Sequence, residues 1–200
     1  MTEQPHTVWG EHHAVDPEYR ARLEAKLQPS KIRFTLAFSA LYQVTHELLK
    51  SAVVEDLRGF YGCIDAKKKI WLPESGLEDY RSKVLVLDEK QRPFEASLAW
   101  YCAADAITKE ESGRLDAVYK HRHDLTHELA KYLVDVEAEP DLGLFLAALG
   151  TLRKICRHWA EVEMAIGSFD HLGEVDLDSV VSGRVALLEL CLSAFENWET

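Results

Sequence analysis

The chain has 200 residues, 47% hydrophobic and 28% charged, which suits one ordinary globular domain whose core needs no disulfide staples. Its 34 acidic against 23 basic residues leave a net charge of −11, which argues against a broad, sequence-blind nucleic-acid surface but not against a small basic pocket. The cysteines (Cys63, Cys102, Cys156 and Cys191) form no Cys-x-x-Cys pair, and three of the four sit in apolar helical surroundings and read as free buried thiols in a reducing, cytosolic compartment; no signal-peptide core or membrane-length apolar run is present.

In chain order, residues 1–15 are expected to form a flexible tail. Asp16 before Pro17 is a helix start, opening a short charged helix from Glu18 to Leu27 that ends before Pro29. Ser30 is then expected to cap a long helix to about Arg58. Its apolar face would be Phe34, Ala37, Phe38, Leu41, Val44, Leu48 and Ala52, with Gly59 and Gly62 ending it. Residues 60–92 are the least regular part, with Lys67-Lys68-Lys69, Pro73, Ser75-Gly76 and a β-leaning run from Lys83 to Leu87. They suggest an ordered insertion or crossover with a short hairpin, its lysine trio a solvated loop.

Pro93 opens a helix from Phe94 to about Ile107, and Thr108 with Glu111 forms a capping-box pattern that restarts helix through Val136. Pro140 marks a connection. Leu142 to about Phe169 is a strongly apolar helix carrying Phe145, Ala148, Leu152, Ile155, Trp159 and Ile166, with Gly143 and Gly150 as packing glycines. An acidic loop over 170–178 precedes a last helix from Ser179 to about Trp198. The sum is an all-α bundle of five or six helices in a single domain, with an irregular insertion near 60–92 and a core over 30–170.

The chemistry points to the helix after Thr108. Leu115, Val118, Leu125, Leu129, Tyr132 and Val136 form an apolar stripe with one gap, and Arg122 fills it. A guanidinium in a packing position is costly unless it meets an anion or a carboxylate. His121, His123 and His127 flank it in Lys120-His121-Arg122-His123-Asp124-Leu125-Thr126-His127, a slightly basic segment of an acidic chain. His123 and His127, four apart, have the spacing of a bidentate metal pair, but no motif marks a third ligand; His46, His158 and His171 would have to be brought near by the fold. No Gly-x-Ser-x-Gly elbow or Gly-rich phosphate loop is present. Thr45-His46-Glu47-Leu48-Leu49-Lys50 matches Thr126-His127-Glu128-Leu129-Ala130-Lys131 in five of six residue types, but the flanks do not continue the match, so a duplication does not follow.

Arg122 and His127 also suit metal-independent phosphoryl chemistry on RNA, in which a base deprotonates the 2′-hydroxyl and a cation holds charge developing on phosphorus. Five residues apart, they point about 140° apart on a straight helix, so two chains would have to converge their pairs on one cleft. Arg122-His123-Asp124-Leu125-Thr126-His127 resembles the Arg-x4–6-His motif of HEPN domains (higher eukaryotes and prokaryotes nucleotide-binding), with its polar residue directly after the arginine. The resemblance implies a HEPN-like bundle and an endoribonuclease that works as a homodimer without metal or cofactor. It also implies a role in toxin–antitoxin or phage-defence systems, with an antitoxin or activator as partner. Arg122 would stabilise the phosphate, His127 would be the general base, and His123 and Asp124 would support them. A toxin subgroup of the family carries tyrosine two residues after the histidine, where this chain has Leu129. The alternatives are a non-catalytic helical module that binds a protein or nucleotide, and a purely structural role in which Arg122 ion-pairs with a buried Asp or Glu and His127 is a satisfied surface histidine.

Overall fold

Asp16 opens the first helix as its residue type dictates. Its carboxylate accepts the Glu18 N–H at 3.1 Å, and Pro17 takes the first position of α1 (Pro17–Lys26). The structure is a computed structural model that describes residues 16–62, 74–169, 171 and 176–196. The expected tail (1–15), Cys63, the lysine trio at 67–69, Pro73 and Trp198 lie outside the described residues. Every regular element among the described residues is helical, so the chain is all-α.

Helix α2 (Pro29–Ser51) begins one residue before Ser30, after Gln28 and without a side-chain cap, because the fixed φ of Pro29 already suits the first helical position. It continues through a π-helical turn, Ala52–Asp56, into α3 (Leu57–Phe60). Gly62, at φ 76°, closes this rod by donating its N–H to the Gly59 carbonyl, whereas Gly59 itself is helical. The buried face of α2 is Thr35, Phe38, Leu41, Tyr42, Thr45 and Leu49; Phe34 and Val44 of the expected stripe are exposed. The difference arises because α8, α6 and α9 all pack on α2 and draw polar residues into the interior. Ser39 and Thr45 tolerate this by donating their hydroxyls to the carbonyls of Thr35 and Leu41, at 2.7 and 2.9 Å.

The β-leaning run near 83–87 is not a strand. Helix α4 (Glu74–Lys83) passes into a 3₁₀ turn, Leu85–Leu87, and the buried residues Tyr80 and Val84 are spaced one helical turn apart. A Cβ at Gly76 would collide with the Tyr61 carbonyl, so this glycine brings α4 against the end of the α2–α3 rod. Helix α5 (Pro93–Ala103) stops four residues short of Ile107 in a Schellman turn, with Asp105 at φ 56° in the place usually taken by glycine.

Helix α6 (Lys109–His127) carries the expected capping box, Thr108 Oγ1 accepting the Glu111 N–H at 3.2 Å and Glu111 Oε2 accepting the Thr108 N–H at 2.9 Å. It breaks at Glu128 (φ −118°, ψ 26°), and α7 (Leu129–Val134) starts afresh, so the single helix expected through Val136 is two. No glycine or proline marks that break. Helix α8 (Leu142–Ala165) ends in a second Schellman turn at Gly167, φ 79°. Gly150 meets nothing that a Cβ would touch and is not a packing glycine. Helix α9 (Gly183–Glu196) begins later than Ser179, after a 3₁₀ turn at Leu177–Ser179.

The core joins Phe38 and Tyr42 of α2 to Phe145 of α8, ring centroids 5.3 and 6.1 Å apart. It continues through Leu115, Val118 and Leu125 of α6, Leu152 and Ile155 of α8, and Leu188 of α9. Arg184 of α9 grips the Asp56 carboxylate in the π turn with two contacts of 2.6 Å, tying the last helix to the end of α2. Cys102, Cys156 and Cys191 are free and half-buried, less enclosed than their sequence surroundings suggested. No helix among the described residues is long and apolar enough to cross a membrane. Thr108→Ala should lower stability by about 1 kcal/mol and thermal melting by ~2–4 °C, with Thr108→Ser close to wild type. Melting of the alanine variant at the wild-type temperature would mean that the cap contributes nothing.

Candidate functional site

The sequence places Arg122 on the packing stripe of α6, and the fold turns that stripe toward α2 and α8. Leu115, Val118 and Leu125 are buried there. Arg122 reaches out of the stripe along the α2–α6 seam, with its side chain 24% exposed and Nη2 donating to Glu47 Oε1 at 3.2 Å. Its Nε is buried and has no partner. The expected counter-ion is a buried Asp or Glu; the acidic partner in the structure, Glu47, is 60% exposed, because the Arg122 head reaches out of the stripe.

Gln43 of α2 and Thr126 of α6 fix the seam. Gln43 Nε2 donates to Thr126 Oγ1 at 2.6 Å and to the Arg122 carbonyl at 3.4 Å, and Thr126 Oγ1 donates to the same carbonyl at 2.8 Å. His46, one turn after Gln43 on α2, is buried with its ring 5.7 Å from that of Tyr119. Its Nδ1 lies 3.5 Å from Glu47 Oε1 yet makes no hydrogen bond. Burial, and secondarily the Arg122 charge, push the His46 imidazole below its ordinary range, against the opposing pull of Glu47.

The histidines around Arg122 part company. His121 accepts the Asp141 N–H at Nε2, 2.8 Å away, between the rings of Tyr42 and Tyr132 at 5.3 and 5.8 Å. It therefore pins α6 to the start of α8, where the Asp141 carboxylate caps the helix by accepting the Leu144 N–H at 2.9 Å. His123, Asp124 and His127 are exposed, and the His123 and His127 rings touch at a tilt, with centroids 4.3 Å apart, at the end of α6. Among the described residues no three His, Cys, Asp or Glu side chains gather as a metal-holding set. His46 lies in the seam with Glu47 and Arg122, and His158 sits among Trp100, Tyr101 and Trp159. Neither joins the His123–His127 pair as a metal ligand.

No family model, curated protein or solved structure matches this chain. A cleft lined by Phe60, Trp159, Glu163 and Arg184 lies on other elements and contains none of the predicted site residues. Gln43 and Glu47 carry no motif of their own in the sequence, and His46 suggests there only a distant metal ligand. The one signal available for them was the polar run Gln43, Thr45, His46, Glu47 within an otherwise apolar helix.

Burial lowers the pKa of His46, His121 and His158 from the usual 6.5, so each takes up its proton less readily in the folded chain than in the unfolded one. As the pH falls below about 6.5 the unfolded chain binds more protons, and stability present at neutral pH is lost. Thermal melting between about pH 7.5 and about pH 5 should fall on the acid side. A flat profile would mean that these rings are solvated.

Proposed function

We propose that the chain is a metal-independent endoribonuclease of HEPN type, working in the cytoplasm as a toxin or phage-defence effector under an antitoxin or activator. The observation that supports it best is the setting of Arg122. Its guanidinium is held along a helix seam with Nε unpartnered, one exposed carboxylate as its counter-ion, and a histidine pair on the same helix. In this reading His127 takes the proton from a 2′-hydroxyl, the 2′-oxygen attacks phosphorus, and the 5′-oxygen leaves with a proton. The products are a 2′,3′-cyclic phosphate and a 5′-hydroxyl. Arg122 neutralises the charge that develops on the phosphoryl oxygens. His123 packs against His127 and orients its ring, and Asp124 supports the local charge balance.

His127 ends α6 about 140° around the helix from Arg122, so one chain does not aim both groups at the same phosphate. A homodimer that apposes two α6 helices supplies the missing partner for each group. A second reading, a non-catalytic module that binds a partner protein or nucleotide, is favoured by the Arg122–Glu47 pair itself. A guanidinium already occupied by a carboxylate can serve to clamp α2 to α6.

Labelled total RNA incubated with the purified chain in EDTA separates the two. Cutting that survives chelation, disappears in His127→Ala and leaves cyclic-phosphate ends is the expected result. The wild-type chain should also run as a dimer at micromolar concentration. A strict monomer that leaves RNA intact would favour the binding module, and cutting only with added metal would return the His123–His127 pair to ligand duty.

A further inference from the structure

Among the buried polar atoms of α2 and α6 that lack partners are Arg122 Nε and His46 Nδ1. Their side chains meet at a single point. Glu47 Oε1 lies 3.2 Å from Arg122 Nη2 and 3.5 Å from His46 Nδ1. The imidazole is only 7% exposed and cannot leave; the carboxylate is 60% exposed on a flexible side chain and can. The seam thus has a fixed pair of groups that face an anion and a removable anion between them.

We propose that His46 and Arg122 form a binding site for a phosphate group, and that the Glu47 carboxylate is its displaceable internal occupant. The proposal rests on the assignment of Arg122 to a phosphate and adds two residues of α2 to that site. A carboxylate oxygen and a phosphate oxygen present the same acceptor to a guanidinium fork. Neutral imidazole with its proton on Nδ1 donates toward that oxygen without needing a charge. Glu47 offers one oxygen to both groups and leaves Arg122 Nε unmet. A phosphate, with several oxygens, can answer more of these donors at once. Lys50, one turn beyond His46 on α2, adds a second cation to the approach in a chain whose net charge otherwise repels anions. Gln43 and Thr126 tie the two helices together beside the site, so the donors stay in place when the carboxylate swings out.

Glu47 and phosphate then compete for one position, and removing the carboxylate charge must help the phosphate. Calorimetric titration with inorganic phosphate at low ionic strength reads this directly on the full-length wild type, Glu47→Gln, Arg122→Gln and the double variant. Circular dichroism on each confirms the helical fold; Glu47 is exposed, so its substitution leaves the core untouched. Glu47→Gln should bind phosphate about 1.5-fold to fivefold more tightly than wild type, the range expected for losing one exposed ion pair as competitor. Both variants lacking Arg122 should lose that binding. Equal affinities of wild type and Glu47→Gln, persistence of binding without Arg122, or no phosphate binding by any variant would each overturn the proposal. Tightened phosphate binding without RNA cleavage keeps the anion site and favours the binding module over the nuclease. Cleavage with a phosphate affinity indifferent to Glu47 sinks the displaceable carboxylate alone.

Discussion

Helix α2 is enclosed by α6, α8 and α9, and a helix packed on several sides buries more than one stripe of its surface. Phe38, Tyr42 and Leu49 fill the apolar contacts, but Thr35, Ser39, Thr45 and His46 go inside with them. Where a hydroxyl can reach back to its own helix the burial is harmless, as at Ser39 and Thr45. An imidazole has no such route. His46 is therefore left with an unmet nitrogen at the place where Arg122 arrives from α6. The polar seam is a consequence of how tightly α2 is surrounded.

The same packing explains why an arginine is tolerated on the stripe of α6. Its alkyl stem lies on the stripe between the buried Val118 and Leu125, while its head reaches the exposed Glu47. An ion pair at that depth contributes little to stability, since one partner is well solvated. A weak pair between a fixed cation and a mobile carboxylate is easily exchanged. Holding the two helices together is a task already met by the Gln43–Thr126 hydrogen bond and the buried residues of α2 and α6, so the weak pair is spare for exchange.

Local signals with a direct backbone meaning were legible. The Asp16-Pro17 start, the Thr108–Glu111 box and the apolar period of α8 each specify a helix through bonds within a few residues. Stops were harder to read. Asp105 takes a left-handed turn that glycine usually marks, and Glu128 breaks α6 with no breaker residue at all. The run near Leu85 has β propensity, yet the burial of Tyr80 and Val84 on one helical face outweighs it.

Two near-identical segments show where sequence stops. Thr45-His46-Glu47-Leu48 and Thr126-His127-Glu128-Leu129 have the same residue types, and both begin in helix. The first lies in the middle of α2, with His46 buried and Glu47 reaching Arg122; the second ends α6, with His127 exposed and Glu128 breaking the helix. Sequence by itself determined that the chain is helical and that Arg122 sits on a packing face of α6, because helix periodicity is a property of adjacent residues. Only the tertiary structure decided which histidine is enclosed and which carboxylate meets the arginine. Those depend on contacts between residues 75 positions apart, which no local pattern encodes.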